Sequence, residues 1–379
     1  MPTESSPVCR WLRAGDEIFP AMLAAIDAAS QSVCLEVYTF EASALGKHFR
    51  EALIRARKRG LRVRVLVDAI GSVMLSNSFW DQLRQAGGEI RVFNVIGLWR
   101  FTIRSHRKLL VCDEQVAIVG GFNISPVYEG DGVKSGWCDV GLRIENPLLA
   151  KKLAVSFDEM FERSDFRRKR FMRWRKSDAK KTVTLPAEQI LFSGPGRGPS
   201  PFKQSLKQDL ARAKEVRIMV AYFLPTWQLR HALTRVAKRG GRVQLFLAGK
   251  SDVPLALFAA RSLYRRLLTA GIEIYEYQPQ ILHAKLIMVD GIVYTGSSNL
   301  DVRSLQINYE LMIRFAEAGV VGGAREIFDE VQKHSRQVTL EEWHRSGSIW
   351  RRLKHRWAYF LLNRLDPYLA RRQWRALPK

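Results

Sequence analysis

Two stretches decide how this chain folds: "HRKLLVCDEQVAIVGGFN" (106–123) and "HAKLIMVDGIVYTGSSN" (283–299). Each opens on His-x-Lys, places an aspartate after four further residues, and closes on Gly-x-x-Asn. Residues two apart on a strand share a face, so His106 and Lys108 point together, as do His283 and Lys285. Asp113 and Asp290 then face the other side and read as supporting groups. Asp290-Gly291 is a hairpin signal between two apolar runs, and a hairpin there returns Asn299 beside His283. In the first copy the turn near Gln115 is one residue longer and returns Asn123 beside His106. The small residues Gly120-Gly121 and Gly296-Ser297 let backbone approach a ligand closely.

Outward from these motifs the repetition continues. "SVCLEVYTF" (32–40), a helical pattern ending in "RKRG" and the strand "LRVRVLVD" (61–68) are answered by "VRIMVAYFL" (216–224), a pattern ending in "AKRG" and "RVQLFLAG" (242–249). "LRQAGGEIRVF" (83–93) is answered by "LLTAGIEIYEY" (267–277). Order, element type and spacing repeat together, which predicts an α/β chain of two duplicated sandwich domains. We expect a first domain over 1–180, a second over 181–335 and an appended tail over 336–379. "SGPGRGPS" (193–200) reads as a linker or loop.

Composition bounds the partners. Sixty-one Lys and Arg against 37 Asp and Glu give a net charge of +24, so the surface attracts polyanions, either nucleic acid or anionic membrane. Cys9, Cys34, Cys112 and Cys138 include no Cys-x-x-Cys pair and fit a reducing compartment. The N-terminus reads without a signal or transit peptide, and no stretch approaches the roughly 20 apolar residues of a membrane span. Contact with a bilayer is therefore expected to be peripheral.

Each motif offers an imidazole, an ammonium and an amide to one spot. Two such sets facing across a pseudo-two-fold axis suit phosphorus chemistry. One neutral histidine attacks phosphorus while the protonated other supplies the leaving alkoxide with a proton. Lysines and amides stabilise the non-bridging oxygens, a task other enzymes give to a metal, so neither catalytic metal nor cofactor is expected. The candidate set is His106, Lys108, Asp113, Asn123, His283, Lys285, Asp290 and Asn299. His48, His231, His334, His344 and His355 fall in helical or basic stretches and read as partnerless.

The paired His-x-Lys-x4-Asp motifs, each followed by Gly-Gly/Ser-x-Asn, resemble the phospholipase D superfamily over roughly residues 10 to 335. Within it, "YTFEASALGKHFREAL" (38–53), "SHRKLLVCD" (105–113) and "GWCDVGLRIENP" (136–147) are similar to segments of bacterial cardiolipin synthases. The resemblance implies phosphatidyl transfer through a phosphohistidine, with His106 as nucleophile and His283 as general acid. It also implies a downstream carboxylate behind each histidine, and Asp139 and Glu310 fall at the matching places. The motifs differ at Gly121 and Ser297, so the half-sites are expected to be inequivalent.

The tail is more informative on lipid against nucleic acid, although a helix packed on the domain with a solvated basic face fits it as well. In "SIWRRLKHRWAYFLLNRLDPYLARRQWRALPK" (348–379), Ile349, Leu353, Trp357, Phe360 and Leu361 fit one helical face while most arginines lie elsewhere, the pattern of a membrane-interface helix. Trp99, Phe101 and Ile103 among arginines before the first motif suit a phospholipid, while the basic run 167–176 fits lipid, nucleic acid or solvent alike. The expected activity is phosphatidyl transfer from one phospholipid, phosphatidylglycerol first and phosphatidylethanolamine second, on the cytoplasmic face of a bacterial inner membrane. Hydrolysis to phosphatidic acid and a nuclease activity stand as alternatives.

Overall fold

The computed structural model describes residues 8–94, 103–164, 179–196, 198–345 and 349–362. The basic run 167–176, Trp99, Phe101 and the chain past 362 lie outside the described residues.

The first sheet holds β1 (Val8–Arg13), β2 (Ser32–Val37), β3 (Arg62–Asp68), β4 (Glu89–Phe93), β5 (Leu109–Cys112), β6 (Val116–Gly120) and β7 (Val140–Glu145). Its order is β1-β7-β6-β5-β2-β3-β4. The second holds β8 (Lys181–Thr184), β9 (Glu188–Ser193), β10 (Glu215–Val220), β11 (Arg242–Ala248), β12 (Glu273–Tyr277), β13 (Lys285–Val289), β14 (Ile292–Gly296), β15 (Glu310–Phe315) and β16 (Ser335–Val338), ordered β16-β12-β11-β10-β13-β14-β15-β9-β8. In both, two parallel βα crossovers meet an antiparallel hairpin: β3 and β5 flank β2, as β11 and β13 flank β10. The predicted duplication is present strand for strand in this central part.

These strands read as unbroken apolar runs because both sheet faces are covered. In β5, Leu109 and Val111 enter a core shared with the second sheet, whereas Leu110 and Cys112 enter a core under the helices Ala14–Ala28 and Ala44–Lys58. The shared core also takes the helices Pro147–Arg163 and Ala318–Lys333. A third core lies beneath Pro201–Leu210 and Trp227–Lys238. The two halves are thus joined by a continuous apolar layer as well as by chain.

The expected strands 32–40 and 216–224 end early, at Val37 and Val220. There the chain leaves the ladder so that the amides of Thr39 and Tyr222 can donate to Asn123 and Asn299. Of the stretch read as a linker or loop, Ser193 ends β9 and Ser200 caps the helix at Pro201 by accepting from Lys203 N. The segment after 335 opens as an edge strand on β12. Several histidines read as partnerless are not: His355 is buried against Phe258, His231 stacks on Trp227, and His334 pairs with Glu330 at 3.3 Å.

Asp113 and Asp290 sit in the hairpin turns, at the far end of the strands from the histidines. Asp113 accepts from the amides of Ser30, Gln31 and Ser32 at 2.7, 2.7 and 2.8 Å, and Asp290 from those of Lys214 and Glu215 at 3.0 and 2.8 Å. Each ties its hairpin to the entrance of the antiparallel strand beside it, β2 or β10. Their place in the candidate catalytic set is therefore corrected: they hold the scaffold and do not reach the pocket. Partial burial raises the Asp113 pKa, but the amides outweigh it and leave the group below its ordinary value. A depressed carboxylate stabilises the fold above its unfolded pKa and loses that contribution as acid protonates it. Asp113→Asn should cost about 1–3 kcal/mol in urea unfolding at neutral pH. The gap to wild type should narrow below about pH 4.

Candidate active site

Each histidine is delivered by a short extended segment that pairs with the opposite half. His106 N donates to Tyr309 O at 2.9 Å, and His283 N donates to Cys138 O at 2.7 Å. The residues following those carbonyls are Glu310 and Asp139. Consequently the imidazole–carboxylate pairs are crossed. His106 Nδ1 lies 3.1 Å from both Glu310 oxygens, and His283 Nδ1 lies 2.7 Å from Asp139 Oδ2. Both acids are buried. A carboxylate on Nδ1 orients the ring and, when it takes the Nδ1 proton, leaves Nε2 free as nucleophile or base.

The lysines converge on the same place. Lys108 Nζ donates to His106 O at 2.7 Å, while Lys285 Nζ donates to His283 O and lies 3.1 Å from His283 Nε2. Asn123 Oδ1 accepts from Thr39 N, and its Nδ2 donates to Tyr128 Oη at 3.0 Å; that hydroxyl is 3.3 Å from His283 Nδ1. The first half's asparagine thus acts on the second half's histidine. Asn299 Oδ1 accepts from Tyr222 N at 3.4 Å. Ser297 Oγ donates to Glu310 and accepts from Leu311 N. Gly121, which stands where Ser297 stands in the other half, makes room instead: a Cβ there would lie 2.6 Å from Asp139 Oδ1 and 2.8 Å from Lys285 Cδ. The expected inequivalence at these positions has this steric basis.

Burial dominates the electrostatics. It holds His106 well below the ordinary imidazole value, with Lys108 and Lys285 adding to the effect, and it holds His283 down to about 4, with Lys285 next. Lys108 is well below its usual value through burial and then Lys285. Burial brings Lys285 down to about 8 against the pull of Asp139 and Glu310, and brings Glu310 up to about 8 against Lys108. Burial disfavours the charged forms of these bases, and an anion entering the pocket would favour them. Among the described residues no group of three or more His, Cys, Asp or Glu side chains is arranged to hold a metal ion.

Several residues were not singled out beforehand. Tyr38 packs edge-on to His106 at 5.1 Å between ring centroids, while Tyr128 and Trp137 each stand 5.4 Å from His283. Behind the first histidine runs a buried polar network: Ser105 donates to Asp68 and Glu36, Arg104 pairs with Asp68, and Arg107 pairs with Glu36 at 3.1 Å. The matching positions in the second half are Met219, Ala248, Leu282 and Ala284, all buried and apolar. The visible trace of this difference was "HRK" against "HAK" at the head of the two motifs.

A family model described as cardiolipin synthase, PLD-like domain, matches residues 22–161 and 206–332. Cardiolipin synthase B of Salmonella typhi is 34% identical over 310 residues, covering 79% of this chain and 74% of the relative. Cardiolipin synthase 1 of Bacillus cereus is 30% identical over 349 residues, covering 89% and 69%. Among solved structures, the phosphatidylserine synthase of Haemophilus influenzae superposes with a TM-score of 0.73 over 96% of this chain and 94% of its own, at 14% identity. Polyphosphate kinase from Porphyromonas gingivalis gives 0.59 over 88% of this chain and 49% of its own, at 13% identity. At such identities these two structures establish a common fold alone.

Two outcomes test this geometry. Gly121→Ala should lower kcat about 10- to 100-fold with an unchanged melting temperature, because it displaces Asp139 and Lys285. Tungstate, a tetrahedral dianion, should inhibit turnover below about pH 8 and progressively less above it, as Lys285 loses its proton. Lys285→Met should flatten the pH dependence of any inhibition that remains.

Proposed function

Because the chain belongs to the phospholipase D-like family of cardiolipin synthase type, we propose that it transfers a phosphatidyl group from one phospholipid to a hydroxyl of another through a phosphohistidine. The observation that supports this most is the crossed pairing of two buried imidazoles with Glu310 and Asp139, which readies two Nε2 atoms for one phosphorus. His106 Nε2 attacks phosphorus, the bond to the headgroup oxygen breaks, and His283 donates its proton to the leaving alkoxide. The acceptor hydroxyl then gives its proton to His283 while its oxygen attacks phosphorus, and the P–N bond breaks to restore His106. Lys108 and Lys285 stabilise charge on the non-bridging oxygens. Asn123 and Asn299 act beside them, their carbonyl oxygens engaged by backbone amides so that the NH2 groups are oriented. Asp139 and Glu310 are positioning residues, and Gly121 and Ser297 set the different fit of the two halves.

Tyr38, Tyr128 and Trp137 wall the histidines with aromatic surface, and this favours an alcohol over water at the second step. Phosphatidylglycerol is the first choice of donor and acceptor, since its headgroup carries the hydroxyls that the acceptor step needs, and phosphatidylethanolamine is the second choice. In this reading the halves are residues 1–180 and 181–335, and residues 336–379 add a basic, aromatic-rich tail that rests peripherally on an anionic leaflet at the cytoplasmic side of the bacterial inner membrane. Among the described residues no helix is long and apolar enough to cross a membrane.

The test is an EDTA-treated incubation of the purified chain with labelled phosphatidylglycerol vesicles beside a DNA control. Cardiolipin with released glycerol is expected. Phosphatidic acid alone would make the chain a hydrolase, and inert lipid with cleaved DNA would overturn the lipid reading. His106→Ala and His283→Ala should each abolish turnover in folded protein. In acid-quenched single turnovers, label should be found on His106 in the wild type and be absent from His106→Ala.

A further inference from the structure

The exposed large apolar side chains are unevenly placed. After β3 the chain passes Gly71 and Ser72, whose hydroxyl donates to Tyr38 O and accepts from Phe40 N, and then presents Val73 and Met74, the latter 89% exposed. Tyr38 touches His106, so this tip stands beside the pocket mouth. The topologically equivalent loop after β11 carries Asp252, which accepts from Tyr222 Oη at 2.9 Å, and then exposes Val253 and Leu255. Tyr222 donates to Asn299, so this tip stands beside the mouth from the other half. Trp227, 60% exposed, begins the helix that follows the Tyr222 segment and leads into β11.

The helix Ile349–Phe360 completes the rim. It packs on Pro254–Arg261 with the face bearing His355 and Ala358, next to Leu224, Phe258 and Ala259, and Arg230 lies over Tyr359. Its other face leaves Leu353, Trp357 and Phe360 exposed. The apolar face read from the sequence is thus the outward one, and the helix docks on the protein through different residues. Lys354 and Arg356, both exposed, lie on the same helix.

We infer that the loop tip Val73–Met74 of the first half and, from the second, Trp227 with Val253 and Leu255 at the start of helix Pro254–Arg261 enter one leaflet of an anionic bilayer together with the outward face of helix 349–360, so that the pocket opens onto the headgroup plane. The inference rests on the lipid reading above and adds an insertion surface that encircles the site. Scattered apolar residues need no explanation, but a rim shared by equivalent loops of a duplicated fold does. The net charge of +24 complements anionic headgroups and opposes pairing with a second copy of this chain. Cations hold the headgroups while Met74, Trp227 and Trp357 bury apolar surface below them.

Serine replacements remove apolar surface without adding charge. With the full chain and vesicles of phosphatidylglycerol and phosphatidylethanolamine, Met74→Ser and Trp357→Ser should each lower the partition coefficient about five- to tenfold. Brominated acyl chains should quench wild-type tryptophan fluorescence, and less so in Trp357→Ser. Monomeric short-chain phosphatidylglycerol should be turned over equally by wild type and both variants. Failure to turn over that soluble lipid would defeat the lipid reading itself. Normal turnover with unchanged vesicle binding in both variants would overturn the rim. A lipid-free dimer that Trp357→Ser converts to monomer, with vesicle binding intact, would assign the surface to self-association and overturn it equally.

Discussion

The interaction on which the rest of this structure depends is the exchange between halves at the two histidines. A backbone hydrogen bond brings each His beside the chain of the other half, and one residue later that chain supplies the carboxylate for its ring. The pairing is reciprocal, His106 with Tyr309–Glu310 and His283 with Cys138–Asp139. The shared apolar layer between the sheets keeps the two segments in register, since its close packing resists sliding. Catalytic geometry is therefore a property of the joint between halves and belongs to neither sheet alone.

Burial of so many ionisable groups sets the second constraint. Two imidazoles, two ammoniums and two carboxylates share a small dry volume, and each is moved from its ordinary pKa or held by a partner because an uncompensated buried charge costs several kcal/mol. The first half adds Glu36, Asp68, Arg104 and Arg107 behind its histidine, whereas the second uses apolar side chains there. Behind the first histidine a buried polar network adds directional bonds to the backbone pairing that both lead-ins share, whereas behind the second that pairing is backed by apolar packing. The halves share a backbone plan but hold their histidines by different physics, which suits a division of labour between attacking and proton-transferring groups.

Much of this was legible in the sequence. The repeated His-x-Lys-x4-Asp pattern, with Asp-Gly at one turn and a longer turn at the other, located both hairpins. Strand parity placed His with Lys and turned Asp113 and Asp290 away. The crossed carboxylates were not legible, because Asp139 and Glu310 are similar acids at equivalent places and their order along the chain does not say which ring each meets. Tyr128 and Trp137 were hidden for a related reason: they act on His283, more than a hundred residues away. The edge strands β8 and β16 have four residues each and are mostly polar, without the apolar runs that marked the central ones. The tail's amphipathic face was legible, but that it points outward follows from the fit of His355 and Ala358 against a neighbouring helix.

The reciprocal joint also dictates when in synthesis the site can be assembled. His106 and its carboxylate are 204 positions apart, and Glu310 lies in the last fifth of the chain. During synthesis from the N-terminus, the first motif emerges and its sheet can close long before any acid is there to aim its ring. The His106 ring stays without its carboxylate partner until nearly all of the second sheet has left the ribosome. A product truncated before that point carries the first histidine and lysine without the carboxylate that orients the ring.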